Sequence, residues 1–206
     1  MLDILDKTIL SIIFACSLTN DNVVESIKGK KSLPEDYINS KLDNLVKNGL
    51  VESDKKSLTD FGRTSLRVVL TGGVFDIIHP GHIHTLNSAK ALGDVLVVVI
   101  ATDKTAEKMK NRTPLHNQEQ RKTLVNSLSV VDICLIGHEG NIFKTVEVVR
   151  PQIIALGYDQ VHQEKFITDG CRKLNLQVNV ARLQSPHPEI SSSKIEKIYG
   201  ENIHDI

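Results

Sequence analysis

Between Leu2 and Gly49 the apolar positions recur with a helical period. Leu2, Ile4, Leu5, Ile9, Ile12, Ile13 and Cys16 share one helix face. Thr19 or Asn20 can cap a second short helix, DNVVESIKG, that closes at Gly29. Ser32 and Glu35 have the spacing of a capping box, and Pro34 suits a first turn. A third helix then runs through Tyr37, Ile38, Leu42, Leu45 and Val46 to Asn48 and Gly49. LVESDKKSLTDFGRTSL reads as a short strand, a charged turn and another short strand.

Near residue 65 the pattern changes. RVVLTGG and DVLVVVIAT are unbroken apolar runs, suited to strands buried on both faces. VDICLIG, PQIIALG and LQVNVARL continue the series. Between and after them lie PGHIHTLNSAKALG, EQRKTLVNSL, NIFKTVEVVR, HQEKFITDGCRKL and SSSKIEKIYG, all helical in pattern. Such alternation predicts an α/β domain, a parallel five-stranded sheet with helices on both faces. The boundary is expected between residues 65 and 66. The front part, three helices and a hairpin, resembles a winged helix-turn-helix, with LVKNGLVESDKKSLTDFG as third helix and wing.

Composition narrows the function classes. The chain has 206 residues, 40% of them apolar, and a formal net charge of zero, so no overall charge draws it to nucleic acid or membrane. No apolar stretch is long enough to span a bilayer, and the N-terminus lacks a signal-peptide pattern. Three dispersed cysteines, Cys16, Cys134 and Cys171, with no CxxC, predict neither a disulfide framework nor a zinc site. A reduced, cytoplasmic protein is expected.

The chemistry concentrates in GGVFDIIHPGHIH, residues 72–84. Gly72 and Gly73 end the first strand, where a glycine pair allows a sharp turn and close approach of an anion. Pro80 suits a first helical position, so His79 and His82 lie across one helical turn with their side chains on one side. Helix-start N–H groups favour an anion there, and two imidazoles add donors for phosphate oxygens. Gly81 leaves space between them. Zinc would need further ligands, and His84, two residues on from His82, points elsewhere. The remaining histidines, His116, His138, His162, His187 and His204, have no partner pattern and are expected at the surface, His187 in a loop able to border an acceptor pocket.

GVFDIIHPGH resembles the H-x-G-H signature of the cytidylyltransferase-like nucleotidyltransferases. KNRTPLHNQEQR is similar to that family's basic loop and E-Q-R, LGYDQ to its base-packing segment, and EISSSKI to its late phosphate-gripping helix start. The resemblance, over residues 67 to about 199, implies a Rossmann-like core. It also implies transfer of a nucleoside monophosphate from ATP or CTP to an acceptor phosphate, with Mg²⁺ and pyrophosphate release. It assigns His79 and His82 to the triphosphate and the transition state. Lys110 or Lys108, with Arg112, would reach the triphosphate from a loop after the second strand, and Arg121 would hold a phosphate as a fork. Gly72, Gly73, Val74, Phe75, Asp76 and Gly81 would bind the nucleotide around the first turn, which Asp76 closes, and Asp103 and Asp159 would touch ribose or metal. Gly157, Tyr158 and Gln160 would lie by the base, and Ser191, Ser192 and Ser193 by the outer phosphates.

Among family members the strings look most like archaeal-type FAD synthases, which adenylate FMN. Glycerol-3-phosphate cytidylyltransferases and sugar-phosphate adenylyltransferases share them. The chain departs from the FAD synthases in carrying the front domain and in lacking paired cysteines near the C-terminus. The resemblance implies a homodimer. Residues 1–65 hold nine Lys+Arg and ten Asp+Glu, and the third helix opens on Glu35 and Asp36, which would repel DNA. Docking or dimerisation is therefore favoured over nucleic-acid binding for this part. A DNA-binding regulator with a nucleotide-sensing domain is the alternative from another class.

Overall fold

The structure is a computed structural model that describes residues 2–157, 160–184, 194 and 195. The expectations for Tyr158, Asp159, Ser191, Ser192, Ser193, His187 and most of the last helix lie outside the described residues. The chain divides into two compact units: one reaches Arg67 and includes Gly93–Val95, and the other takes the rest from Val68.

The first unit contains α1 (Ile4–Thr19), α2 (Val23–Lys31), α3 (Glu35–Lys47) and α4 (Asp60–Thr64). Asp3 and Asp6 form a reciprocal capping box at the start of α1, and Lys41 of α3 lies 3.1 Å from Asp3 and 2.9 Å from Asp6. The core is the apolar face read from the sequence: Ile9, Ile13, Ile27, Ile38 and Leu42 are fully buried. The caps differ from expectation. Asn22 caps α2, Ser32 closes it in a left-handed conformation beyond Gly29, and Pro34 precedes α3 without a side-chain cap.

The expected hairpin reduces to one antiparallel bridge, Val51 to Leu58. TDFGRT forms α4 instead of a second strand, because Thr59 Oγ1 accepts from Gly62 N at 3.0 Å and donates to Gly49 O at 2.6 Å. This capping satisfies helix-start donors that a lone edge strand would leave unpaired. A Cβ on Gly62 would lie 1.8 Å from the carbonyl oxygen of Leu50. Gly62→Ala is expected to destabilise the protein by roughly 2–3 kcal/mol, read as a lower thermal midpoint. A midpoint equal to wild type would contradict that packing.

The second unit is an α/β fold. In chain order it comprises β1 (Val68–Gly73), α5 (Pro80–Lys90), β2 (Val95–Ile100), α6 (Asp103–Lys110), α7 (Gln118–Asn126) and β3 (Ile133–Ile136). It continues with α8 (Ile142–Val149), β4 (Ile153–Leu156), a 3-10 turn (Val161–Gln163), α9 (Glu164–Lys173) and β5 (Asn179–Arg182). The strands form one parallel sheet in the order β3-β2-β1-β4-β5. Val69, Leu96, Val98, Ile100, Cys134 and Ala155 face a core with Leu86 and Ala89 of α5 and Val125 of α7. Val146, Val149, Ile167 and Cys171 are buried on α8 and α9. Strand order reverses beside β1, so the carboxyl ends of β1 and β4 border the crevice where such sheets hold ligands.

Candidate active site

The glycine pair is part of β1, and neither residue has a positive φ. The sharp turn expected there falls two residues later, at Phe75, whose φ is 52°. A buried ring holds this left-handed backbone: Phe75 is 5% exposed, and a Cβ on Gly73 would meet it at 2.9 Å. Gly73 is thus the space that Phe75 occupies. Gly72 approaches the carbonyl of Val99, which would sit 3.3 Å from an added Cβ.

Pro80 opens α5 at its first position, with His79 as the extended N-cap residue. Gly81 is buried in that first turn. The rings of His79 and His82 stack with centroids 3.9 Å apart and planes at 32°, and Phe75 lies 5.1 Å from His82. Burial, then the nearby Lys110 ammonium, lowers the pKa of His79. Burial, then His79 and Lys110, pushes His82 down to about 4. Both rings are therefore neutral near pH 7. Nδ1 of each is buried with no hydrogen-bond partner among the described residues. Orphaned buried polar atoms are costly, and a pair of them on one turn fits a polar ligand. His84 faces elsewhere, with Nε2 at 3.3 Å from Ser88 Oγ.

The depressed pKa has a consequence for stability. The unfolded histidine protonates near its ordinary value of 6.5, while folded His82 resists protonation until about 4. As pH falls through that window, the unfolded chain takes up a proton that the folded chain refuses, so stability falls. Denaturant titrations from pH 6.5 to 4 should show a loss approaching about 1.4 kcal/mol per pH unit for this group, reduced in His82→Gln. An unchanged slope in the variant would contradict the burial of the ring.

Asp76 is 2% exposed and ties the basic segment to the first turn. Its Oδ2 accepts from Arg112 and from Leu115 N, and its Oδ1 from His116 N, each at 3.1 Å. These bonds hold its carboxyl below the usual range against the opposing effect of burial. His116 adds Nδ1 at 3.1 Å from Asp76 O, so it is a linking residue and not the surface histidine expected. Lys108 and Lys110 are on α6, not in a loop, because Thr102 caps a helix that starts at Asp103. Arg112 lies beyond the helix, paired with Asp76.

Arg121 corrects the expected phosphate fork. It is fully buried. Nε donates to His116 O at 2.9 Å, one terminal nitrogen to Val74 O at 2.8 Å and Ala101 O at 2.9 Å, and the other to Asp103 Oδ1 at 2.7 Å. A guanidinium so engaged binds the ends of β1 and β2 to the start of α7 and has no fork left for a ligand. Asp103 has one carboxylate oxygen on Arg121, and the side chain is 40% exposed.

A cavity of about 340 Å³ opens beside the turn. Gly72, Gly73, Thr102 and Gln160 line it, with apolar side chains of the sheet and of α6, α8 and α9. Gly157 N donates to Gln160 Oε1 at 2.8 Å, which shapes the loop after β4. His138 also lines the cavity, with Nδ1 3.0 Å from buried Thr145 Oγ1. The sequence held no signal for His138, whose partner is seven residues away on the next helix. Among the described residues no group of three or more His, Cys, Asp or Glu is placed to hold a metal ion, and no helix is long and apolar enough to cross a membrane.

Comparison with known proteins finds similar chains. The FAD synthase of Picrophilus torridus is 50% identical over 125 residues, which covers 61% of this chain and 89% of that protein. The FAD synthase of Thermoplasma volcanium is 43% identical over 141 residues, covering 66% and 98%. The crystal structure of a lipopolysaccharide core biosynthesis protein from Thermoplasma volcanium superposes with a TM-score of 0.56 at 43% identity, covering 58% of this chain and 98% of that one. Residues 70–198, more than half of the sequence, match a single family description, and the chain belongs to the cytidylyltransferase-like family.

Proposed function

We propose that the protein is an FAD synthase that transfers AMP from ATP to FMN. The stacked neutral pair His79 and His82, with its two unpartnered nitrogens, carries the chemistry of this reading. The FAD synthases that are 40–50% identical over the aligned part, which spans most of their own length, support the acceptor. An FMN phosphate oxygen attacks the α-phosphorus of ATP. A P–O bond forms, the bond from that phosphorus to the bridging oxygen breaks, and the electron pair leaves with pyrophosphate. The nucleophile is already an anion, so no protein base is needed. Catalysis rests on positioning and on stabilising the charge that develops on the phosphoryl oxygens.

His79 and His82 hold those oxygens from the first turn of α5. A neutral imidazole is a hydrogen-bond donor without the strong ground-state attraction of a full charge, which favours stabilisation as charge develops. Lys110, close enough to depress both histidines, supplies the cationic contact to the triphosphate. Asp76 and Arg121 keep the turn, the basic segment and α7 in place. Mg²⁺, if bound with the triphosphate, would supply neutralisation of the charge on the leaving pyrophosphate. The partly exposed carboxylate of Asp103 is the group that would help hold that hydrated ion.

The test is pyrophosphate release with Mg²⁺, crossing ATP and CTP against FMN, glycerol 3-phosphate and a sugar phosphate, with FAD identified by mass. FAD formed from ATP and FMN alone is the expected result. Release only with CTP and glycerol 3-phosphate would overturn the acceptor and keep the chemistry. No release with any pair would overturn both.

A further inference from the structure

The cavity beside the histidine turn has a feature that adenylyl transfer itself does not require. Its sheet side is Leu70, Val99, Ile154 and Leu156, and its helix side is Phe143, Phe166 and Met109. Phe166 and Met109 are large apolar side chains left 59% and 52% exposed, so core packing does not account for them. The rings of Phe143 and Phe166 lie 5.2 Å apart at 54°, forming an open corner. Gly170 of α9 sets the position of Phe143. A Cβ there would lie 1.9 Å from Phe143 Cζ and 2.1 Å from a second ring carbon, so the ring rests directly on the helix backbone.

We infer that Phe143, seated on Gly170, and Phe166 form the wall that selects a flat aromatic acceptor, with the isoalloxazine ring of FMN in this cavity. The inference rests on the reading that FMN is the acceptor. The volume of about 340 Å³ suits one ring system of a small ligand. The dimethylbenzene edge of a flavin is apolar, like the walls. The polar pyrimidine edge has His138, Asn141 and Gln163 within the lining. Gly72 and Gly73 line the same cavity and lead into the His79 turn, so the acceptor's phosphate tail has a path to the reacting centre. Glycerol or a sugar would leave the apolar walls wet and gain nothing from the ring corner. Adenine is also flat but more polar and lacks the apolar edge.

The variants are Phe166→Ala and Gly170→Ala, assayed as FAD formation with KM measured separately for FMN and ATP. Phe166 is exposed, so its removal leaves the fold standing. Alanine is the better helix former, so any loss in Gly170→Ala arises from the displaced Phe143 ring and not from α9. Phe166→Ala is expected to raise KM for FMN about tenfold, the size of one lost ring contact with its buried area, with KM for ATP within about twofold. Gly170→Ala is expected to act in the same direction. Wild-type FAD synthesis with an unchanged KM for FMN in both variants would overturn the inference and leave the proposed function intact. A rise in KM for ATP instead would assign the cavity to adenine and overturn it as well. Wild-type failure with FMN would remove the proposed function, and the inference with it.

Discussion

His82→Ala is expected to lower kcat for FMN adenylation by a factor of about 10²–10³ while KM for ATP changes much less. The ring is buried, stacked at 3.9 Å on His79, and its Nδ1 has no hydrogen-bond partner among the described residues. A side chain kept neutral with Nδ1 unpartnered among the described residues is poised for a group whose charge grows in the transition state. Its loss therefore falls on kcat. His79→Ala should cost a comparable factor, and the double variant little more than either, since the two rings act on one phosphoryl group. Thermal midpoints distinguish lost chemistry from lost fold. A kcat within about threefold of wild type in a folded His82→Ala protein would sink the assignment of this pair to the transferred phosphoryl group.

Arg121→Met should destabilise the protein by about 3–5 kcal/mol, the scale on which buried charge networks fail when one partner is removed. The side chain is fully buried and donates to three backbone carbonyls and to Asp103. Methionine fills similar space, but the carbonyls of Val74, Ala101 and His116 lose their donor while still screened from water. Arg121→Lys should rescue little, because an ammonium cannot span four acceptors set for a planar guanidinium. The readout is the urea midpoint. A phosphate-binding arginine would give the opposite pattern: a raised KM for ATP at an unchanged midpoint. That pattern would restore the fork role read from the sequence and refute the clamp.

Arg121 and Phe75 show where reading along the chain stops. A strand is visible because burial on both faces demands an unbroken apolar run, and RVVLTGG and DVLVVVIAT carry that run in their own residues. A helix start is visible because Pro80 and the residues beside it carry the signal within one turn. The histidine pair is legible for the same reason: three positions on a helix bring two side chains to one place whatever surrounds them. The sheet, its alternation with helices and the anion-binding site at the end of β1 all rest on patterns of this short range, and the reaction class on the resemblance of those motifs to a known family.

Where the structure departs from that reading, either a local cap outweighs the apparent pattern or partners far apart in sequence decide. Ser32 and Glu35 have capping-box spacing, yet Ser32 closes α2 because the chain reverses there. TDFGRT is read as part of a second short strand, but Thr59 caps it as a helix against Gly49 and Leu50. Lys108 and Lys110 look like a basic loop until Thr102 caps α6. Arg121 looks like an exposed helix cation, and its partners at residues 74, 101 and 103 become visible only when β1 and β2 lie side by side. Gly170 and Phe143 are 27 positions apart, and no pattern along the chain foretells their contact. The sequence alone determined the buried strands and most of the helices, the parallel α/β class and the histidine turn, because local periodicity and backbone stereochemistry suffice for them, while the nucleotidyl-transfer chemistry was implied by the resemblance of its motifs to a known family. Only the tertiary structure decided that Arg121 is a clamp, that Asp76 and His116 bind the basic segment, and that Phe143 and Phe166 wall a cavity. Hydrogen-bond satisfaction and ring packing are settled between residues that meet only after the sheet has assembled.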